Sequence, residues 1–440
     1  MNGSHTMITQ RNRAWRTRLA ACAAVAAIAT IGAACAGEAG AGSRWEATID
    51  TVGDTVIVRT LSGGEWGPGA RLVPDVRIGE FEGDDEYLLG EVAGLAVDRD
   101  GNIYMYDRQV PALRKYSPDG TFIRTFGRSG GGPGEYSNSD GGLAVLPDDR
   151  LVLRDPGNAR FQLWTLDGEP AGHWQHIGGF FTSTPLFIDQ AGNMYSSIID
   201  FESGPPWKTS LVRYSPDGLP TDTIPAPDWD WESPTIRAER GDADNRSISI
   251  NTVPFSPTES WTFSPAGYFV GGVSNEYSID LFRPDGVLRI GRSYEPIRVQ
   301  AAEKSNAEAV ATENMRRMVS DWRWNGPPIP DTKPPFSNII VAQDGRIWVV
   351  VSMPGEPIPE DERDDPVGAD GQRRAVREWR QPTAFDVFEP DGRYVGVVRA
   401  PDGFRGNPQP VIRGDTIWAV VTDGLGVQQI VRMTVVVDPG

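Results

Sequence analysis

Gly94-Leu95-Ala96-Val97 returns 48 residues further on as Gly142-Leu143-Ala144-Val145, and Asp119-Gly120 returns at the same interval as Asp167-Gly168. A period of this length means one supersecondary unit stacked on copies of itself, because a single unit cannot bury its own apolar faces. Each unit opens with an apolar strand, makes a tight turn, and continues in a strand such as Ile103-Tyr104-Met105-Tyr106. First turns fall at Asp100-Gly101, Asp148-Asp149, Ala191-Gly192, Ala266-Gly267, Asp344-Gly345 and Gly414-Asp415. A third strand leads to second turns at Asp119-Gly120, Asp167-Gly168, Asp217-Gly218, Asp285-Gly286 and Asp391-Gly392. Gly and Asp tolerate the positive φ that such hairpin turns demand.

Four-stranded units of this length, repeated, predict an all-β chain folded as a six-bladed β-propeller. Six first turns stand against five second turns, so the last unit lacks its outer strand. After Gly414-Asp415 only two strands remain, Ile417 to Val421 and Val427 to Val437. Val76-Arg77-Ile78-Gly79 precedes the first unit, and Gly79 lies 48 residues before Gly127 at the end of an outer strand. We therefore expect Val76 to Phe81 to pair with the C-terminal strand and close the ring, removing an edge open to aggregation. Tyr116, Trp164, Tyr214, Phe282 and Phe388, each three residues before the Asp of a second turn, read as core between blades. Burial of each ring is worth about 1.5–3 kcal/mol.

Residues 75–440 form the expected propeller, with insertions at 225–260, 297–335 and 353–382. The first is Pro-rich and carries Trp229 and Trp231. The second holds a helix over Val299–Trp322, with Val299, Ala302, Ala307, Val310, Met315 and Met318 on one stripe. The third is charged and reads as loop, with Glu360, Asp361, Glu362, Asp364 and Asp365 ahead of Arg373, Arg374, Arg377 and Arg380. Residues 35–74 read as a tether with a hairpin around Val52-Gly53-Asp54, outside the ring.

Residues 1–34 have the pattern of a secretory signal: Arg11, Arg13, Arg16 and Arg18, then an apolar stretch from Leu19 to Ala34 that is short for a membrane span. Ile31-Gly32-Ala33-Ala34-Cys35 resembles the bacterial lipoprotein signal, which implies acylation of Cys35; cleavage without lipidation is the alternative. Leu19-Ala20-Ala21-Cys22 also fits by letter but follows the arginines directly and leaves no apolar core. Removing 1–34 takes away four Arg and no acidic residue, moving the net charge from −18 to −22. A body this acidic is a poor candidate for binding phosphate, which requires clustered Lys and Arg, so no nucleic-acid partner is expected. The localisation expected is export, either anchored to the envelope by lipid or secreted, as a monomer.

Gly94 to Gly127, with an Asp-x-x-Gly-Asn-Ile-Tyr core at Asp98, Gly101, Asn102, Ile103 and Tyr104, resembles the NHL-type propeller repeat. Gly127-Arg128-Ser129-Gly130-Gly131-Gly132-Pro133-Gly134-Glu135-Tyr136 is similar to the Gly-x-Gly-Pro-Gly-Glu-aromatic stretch of bacterial six-bladed propeller lipoproteins. The resemblance implies a secreted or lipid-anchored propeller and no settled activity. Related six-bladed propellers include calcium-dependent lactonases.

The Gly127–Tyr136 loop could offer backbone N–H groups to an anion, but glycines are wanted at a blade crossing in any case; Glu135 and Tyr136 are the expected rim contacts. Asp107 and Asp155, again 48 apart, end second strands and read as turn caps rather than metal ligands. Asp98-Arg99-Asp100-Gly101-Asn102 lacks the Gly and Glu positions of an EF-hand. With 1–34 removed, only His173, His176 and Cys35 could supply N or S ligands, too few for a zinc site. His173-Trp174-Gln175-His176 reads as solvated outer strand. No cofactor is expected. The favoured function is binding of an envelope protein, peptide or carbohydrate through the insertion-bearing face, with exposed Trp229, Trp231, Trp322 and Trp324 and with Arg316 and Arg317 as hot-spot candidates. The alternative is a metal-dependent lactone hydrolase or lyase at the central channel.

Overall fold

The computed structural model describes residues 45–438 except 68, 179–181, 183, 205–206, 242–244 and 368–373. The signal segment, Cys35 and Arg373 lie outside the described residues. Four-stranded antiparallel sheets follow one another at 92–126, 143–175, 187–225 and 259–292. The turns between strands fall where the Asp and Gly pairs place them. A nine-stranded sheet at the C-terminal side combines strands from 336–399 with β3 (Ala70–Ile78) and strands from 404–437. Its two halves meet through a two-residue parallel contact, Val398 with Ala70 and Arg399 with Arg71.

The strand order within the second half explains the missing outer strand. β3 runs antiparallel to β7 (Gln428–Val437), with Val76 opposite Arg432 and Ile78 opposite Ile430. Arg432 and Asp75 form an ion pair across the two strands at 2.9 Å. The N-terminal strand begins at Ala70 and ends at Ile78, whereas Val76 to Phe81 is expected from the repeat. The chain leaves the sheet at Gly79, where φ is +127° and an added Cβ would stand 2.6 Å from the Gln428 carbonyl oxygen. That position is closed to any other residue without a shift of the strand.

Buried side chains gather where consecutive sheets face each other. Tyr104, Tyr106, Leu113 and Phe126 pack with Leu143, Leu151 and Trp164. Val152, Phe161 and Leu163 pack with Met194, Val212 and Tyr214, and Tyr195 and Leu211 with Phe263 and Phe269. Ile279, Leu281 and Ile290 meet Ile339, Ile347 and Phe388. Trp348, Phe385 and Val387 meet Leu72, Ala419, Val431 and Met433. A further cluster joins Val76, Ile78, Trp418, Val420 and Ile430 to Leu95, Met105 and Tyr116 of the first sheet. Of the expected aromatic stripe, Tyr116, Trp164, Tyr214 and Phe388 are fully buried and Phe282 is half-buried. The result is an all-β, propeller-like fold with one helix.

The segments outside the repeat find partners in the fold. The hairpin of β1 (Glu46–Val52) and β2 (Thr55–Ser62) forms around Gly53 as expected. It does not stand apart, because β2 pairs in parallel with β6 (Gly286–Arg292) and extends the 259–292 sheet to six strands. Val58, 4 % exposed, is the side chain that anchors it. The insertions at 225–260 and 297–335 fold together. The first contains a hairpin, β4 (Thr235–Gly241) with β5 (Arg246–Thr252), and the second contains α1 (Ala301–Arg316). Ile236, Ala238, Val253, Met315, Trp322 and Ile329 make a small core of their own.

Candidate functional site

Antiparallel order puts two kinds of connection at one end of every sheet: the link from its last strand to the next sheet, and the loop from its second to its third strand. The insertions at 225–260 and 297–335 are links of the first kind, and 353–382 is a loop of the second. All three therefore rise from the end at which the leading strands begin. Ala93, Glu259 and Ser337, at the beginnings of leading strands, and Asp140, Thr184 and Gly406, in the links that enter leading strands, border a depression of about 550 Å³ at this end. Its wall carries neutral hydrogen-bonding groups, Ser260, Asn338, Asn407 and Gln409 among them, beside the half-buried indole of Trp261. Behind it, sharing Leu95, Leu143, Phe187 and Gln409, lies a second space of about 340 Å³ walled by Val97, Val145, Val341 and Ile412.

Two carboxylates stand at the depression, and each is held. Asp140 and Arg154 form an ion pair with side chains 1 % and 0 % exposed, Nε donating at 2.9 Å. Arg154 also donates to Ser196 Oγ and to the Thr184 carbonyl, while Asp140 accepts from the Gly142 and Thr182 N–H groups. A buried pair persists only when its remaining donors and acceptors are satisfied in this way, and breaking one partner is far costlier than replacing both. Glu259 is exposed, yet the walls around it desolvate its carboxyl and raise its pKa. The nearby Asp228 charge adds to the rise, and the backbone N–H groups of Trp229 and Trp231 oppose it. Among the described residues no group of three or more His, Cys, Asp or Glu is arranged to hold a metal ion.

The expected site residues fall in separate places. Glu135 closes its own loop: Oε2 accepts from the Gly132 N–H at 2.7 Å and Oε1 from Arg128 Nε at 2.7 Å. These two donors hold its carboxyl below the usual range, so the glycine-rich nest is filled from within. Tyr136 is not a rim contact. It is 1 % exposed, packs edge-on against Tyr106 and Trp164, and its hydroxyl accepts from the Leu113 N–H. Trp322 is likewise buried, 6 % exposed, with its indole N–H on the Arg237 carbonyl; it is core to the insertion unit, not an exposed anchor. Trp229, Trp231 and Trp324 are half-buried. Trp229 lies against Phe282, Trp231 reaches the Pro257 carbonyl, and Trp324 donates to the Gly326 and Pro327 carbonyls. Arg316 and Arg317 are exposed, and Arg316 Nε caps the Trp322 carbonyl.

The remaining candidates are structural in their bonds. Asp107 accepts from the N–H groups of Gly90, Glu91, Gln109 and Val110, and Asp155 from those of Ser137 and Asn138. His173 is exposed, but His176 is buried against Phe161 rather than solvated. Burial, helped by the Arg154 charge, lowers its pKa to about 4. Sequence reasoning missed Asp140, Arg154, Glu259, Trp261 and Asn338. One signal was available for the pair: Arg154 directly follows the apolar run Leu151-Val152-Leu153 within the same strand, and a charge buried in such a strand needs a partner.

No protein-family profile matches the chain, and no curated protein does. Solved structures similar to it include a member of the DUF4221 family from Bacteroides vulgatus, at 9% identity and TM-score 0.45, covering 84% of this chain and 99% of that one. A gluconolactonase from Xanthomonas campestris aligns at 12% identity and TM-score 0.36, over 83% of this chain and 98% of that one. A catalytically inactive virginiamycin B lyase from Staphylococcus aureus, with quinupristin, aligns at 9% identity and TM-score 0.32, over 78% of this chain and 95% of that one.

Proposed function

We propose that this chain is an exported six-bladed β-propeller, closed by β3 and held at the envelope through Cys35 or released. In this reading it is a monomer of the NHL-like lipoprotein type that binds a protein, peptide or carbohydrate at the insertion-bearing end. The packing of Val76, Ile78 and Trp418 against Leu95 and Tyr116 supports closure, since it joins the last strands to the first sheet. The observation that carries the binding reading is the lining of the depression. Amide and hydroxyl side chains that can both donate and accept surround an aromatic face, the combination that orients a neutral polar ligand. Its buried carboxylate, Asp140, is committed to Arg154.

The test is an array of oligosaccharides and peptides probed with the purified protein, with and without chelator. Hits are then titrated against Asn338→Ala, Asn407→Ala and Trp261→Ala. Binding that persists in chelator and weakens at least about tenfold in these variants is expected, as for truncation of a central contact. Hits indifferent to all three substitutions contradict the assignment to this depression. Binding lost in chelator together with turnover of lactone probes replaces it with the metal-dependent hydrolase or lyase, which needs several oxygen ligands at about 2.3–2.6 Å from one ion.

A further inference from the structure

The depression and the space of about 340 Å³ behind it differ in the side chains that line them. Segment by segment, hydrogen-bonding residues at the mouth give way to apolar ones a few positions further along the chain: Ser260 to Phe263, Asn338 to Val341 and Asn407 to Ile412. Leu95, Leu143, Pro185, Phe187 and Gln409 border both spaces, so one opens into the other. Among the described residues that line the inner space, the only charged side chain is Asp189. Its carboxylate is occupied by the Asn193 backbone N–H, the Asn193 amide and the Tyr195 hydroxyl at 2.8–2.9 Å.

The two compartments suit different parts of one ligand. Hydroxyl and amide groups at the mouth both donate and accept, which fits a polar head without charge. Glu259 on the rim disfavours an anionic head, because like charges repel. Behind the mouth, apolar side chains give water few partners, so its replacement by hydrocarbon is favourable. An apolar cavity of about 150 Å³ holds benzene, so a space of more than twice that volume takes an alkyl chain of about eight carbons.

On the reading that the depression is the binding site, we propose that its ligand is a single-chain amphiphile. The uncharged polar head lies among Asn338, Asn407 and Trp261, and the alkyl tail enters the inner space between Val145 and Val341.

The test is calorimetric titration of the whole protein with n-alkyl β-glucosides bearing methyl, butyl, hexyl and octyl tails, each below the concentration at which it forms micelles. Affinity should rise about fourfold for each methylene that enters the inner space, and the heat-capacity change should become more negative with tail length. Val145→Phe and Val341→Phe narrow that space from two different sheets. Each should weaken octyl glucoside at least tenfold and leave methyl glucoside unchanged; two independent variants keep the test intact if one fails to fold. Octanoate should bind at least tenfold more weakly than octyl glucoside. No saturable binding of octyl glucoside overturns the proposal, as does affinity that ignores tail length, a rise with tail length that survives substitution at Val145 and Val341, or octanoate binding as tightly as the glucoside. The depression itself is judged separately: head binding that still weakens in Asn338→Ala and Trp261→Ala retains it as the site even where the tail has no effect.

Discussion

Asp98 and Asp189 tie equivalent turns to the strands that follow them. Asp98 accepts from the Asn102 backbone N–H, the Asn102 side-chain amide and the Tyr104 hydroxyl, at 2.8–2.9 Å. Asp189 repeats the set with Asn193 and Tyr195. This bond pattern is the physical content of the Asp-x-x-Gly-Asn-x-Tyr repeat: one carboxylate satisfies three donors while Gly101 takes φ +85°. Asp98→Ala leaves those donors without their acceptor and should cost about 2–3 kcal/mol in urea unfolding, in line with the usual cost of orphaned buried groups. Asp98→Asn should cost less. His176 gives a pH prediction of definite sign. Its folded pKa, about 4, lies below the ordinary value of 6.5, so the unfolded chain binds the extra proton first. Stability should be insensitive to this group above about pH 6.5 and should fall as the pH drops from there toward about 4. His176→Phe should flatten that part of the profile in a pH series of thermal melts; an unchanged slope would place the acid sensitivity elsewhere. The Asp-x-x-Gly-Asn-x-Tyr signature was legible in the sequence because its partners are within six residues. The surroundings of His176 were not, because Phe161 reaches it from the neighbouring strand and Arg154 from the one beyond.

At the scale of elements, turn chemistry and period placed the strands, and what they could not place lies outside the period. The 48-residue interval marks Val76 to Gly79 as strand, and β3 extends six residues further toward the N-terminus over Ala70 to Asp75. The pairing itself makes a quantitative prediction. Ile78 and Ile430 are direct partners, 1 % and 0 % exposed, so each change to Ala should cost about 2–5 kcal/mol. The double variant should cost less than the sum, with a coupling of about 0.5–3 kcal/mol; strict additivity would mean the two side chains are not in contact. In the insertion unit, Trp322→Ala should expose 235–241, 246–252 and 301–316 to amide exchange by removing a large buried ring of that core, while the Val92–Val97 and Phe122–Phe126 strands keep their protection. The β4–β5 hairpin was invisible in sequence because its strands lie outside the 48-residue period. The burial of Trp322 is not written in the local sequence for the same reason: the hairpin that covers it lies outside the repeat.

For the whole molecule, the succession of repeated sheets was readable and the depression was not. Turn residues are local, but a wall made of Ala93, Thr184, Trp261, Asn338 and Asn407 draws on parts of the chain hundreds of residues apart. No short motif announces it. The same dispersal explains why the aromatic and arginine candidates scattered once placed in three dimensions, with Glu135 and Tyr136 beside the second sheet and Arg316 in the insertion unit. The account depends on the N-terminal strand completing the last sheet, because only then do leading strands surround a common space. Val73 and Thr434 are direct partners on exposed positions of β3 and β7. In a chain with Cys22 and Cys35 changed to Ser, Val73→Cys and Thr434→Cys should form an intramolecular disulfide on mild oxidation, identified by mass spectrometry of the 73–434 cross-linked peptide. A chain that stays folded with both thiols free, or that links only between molecules, would contradict the account.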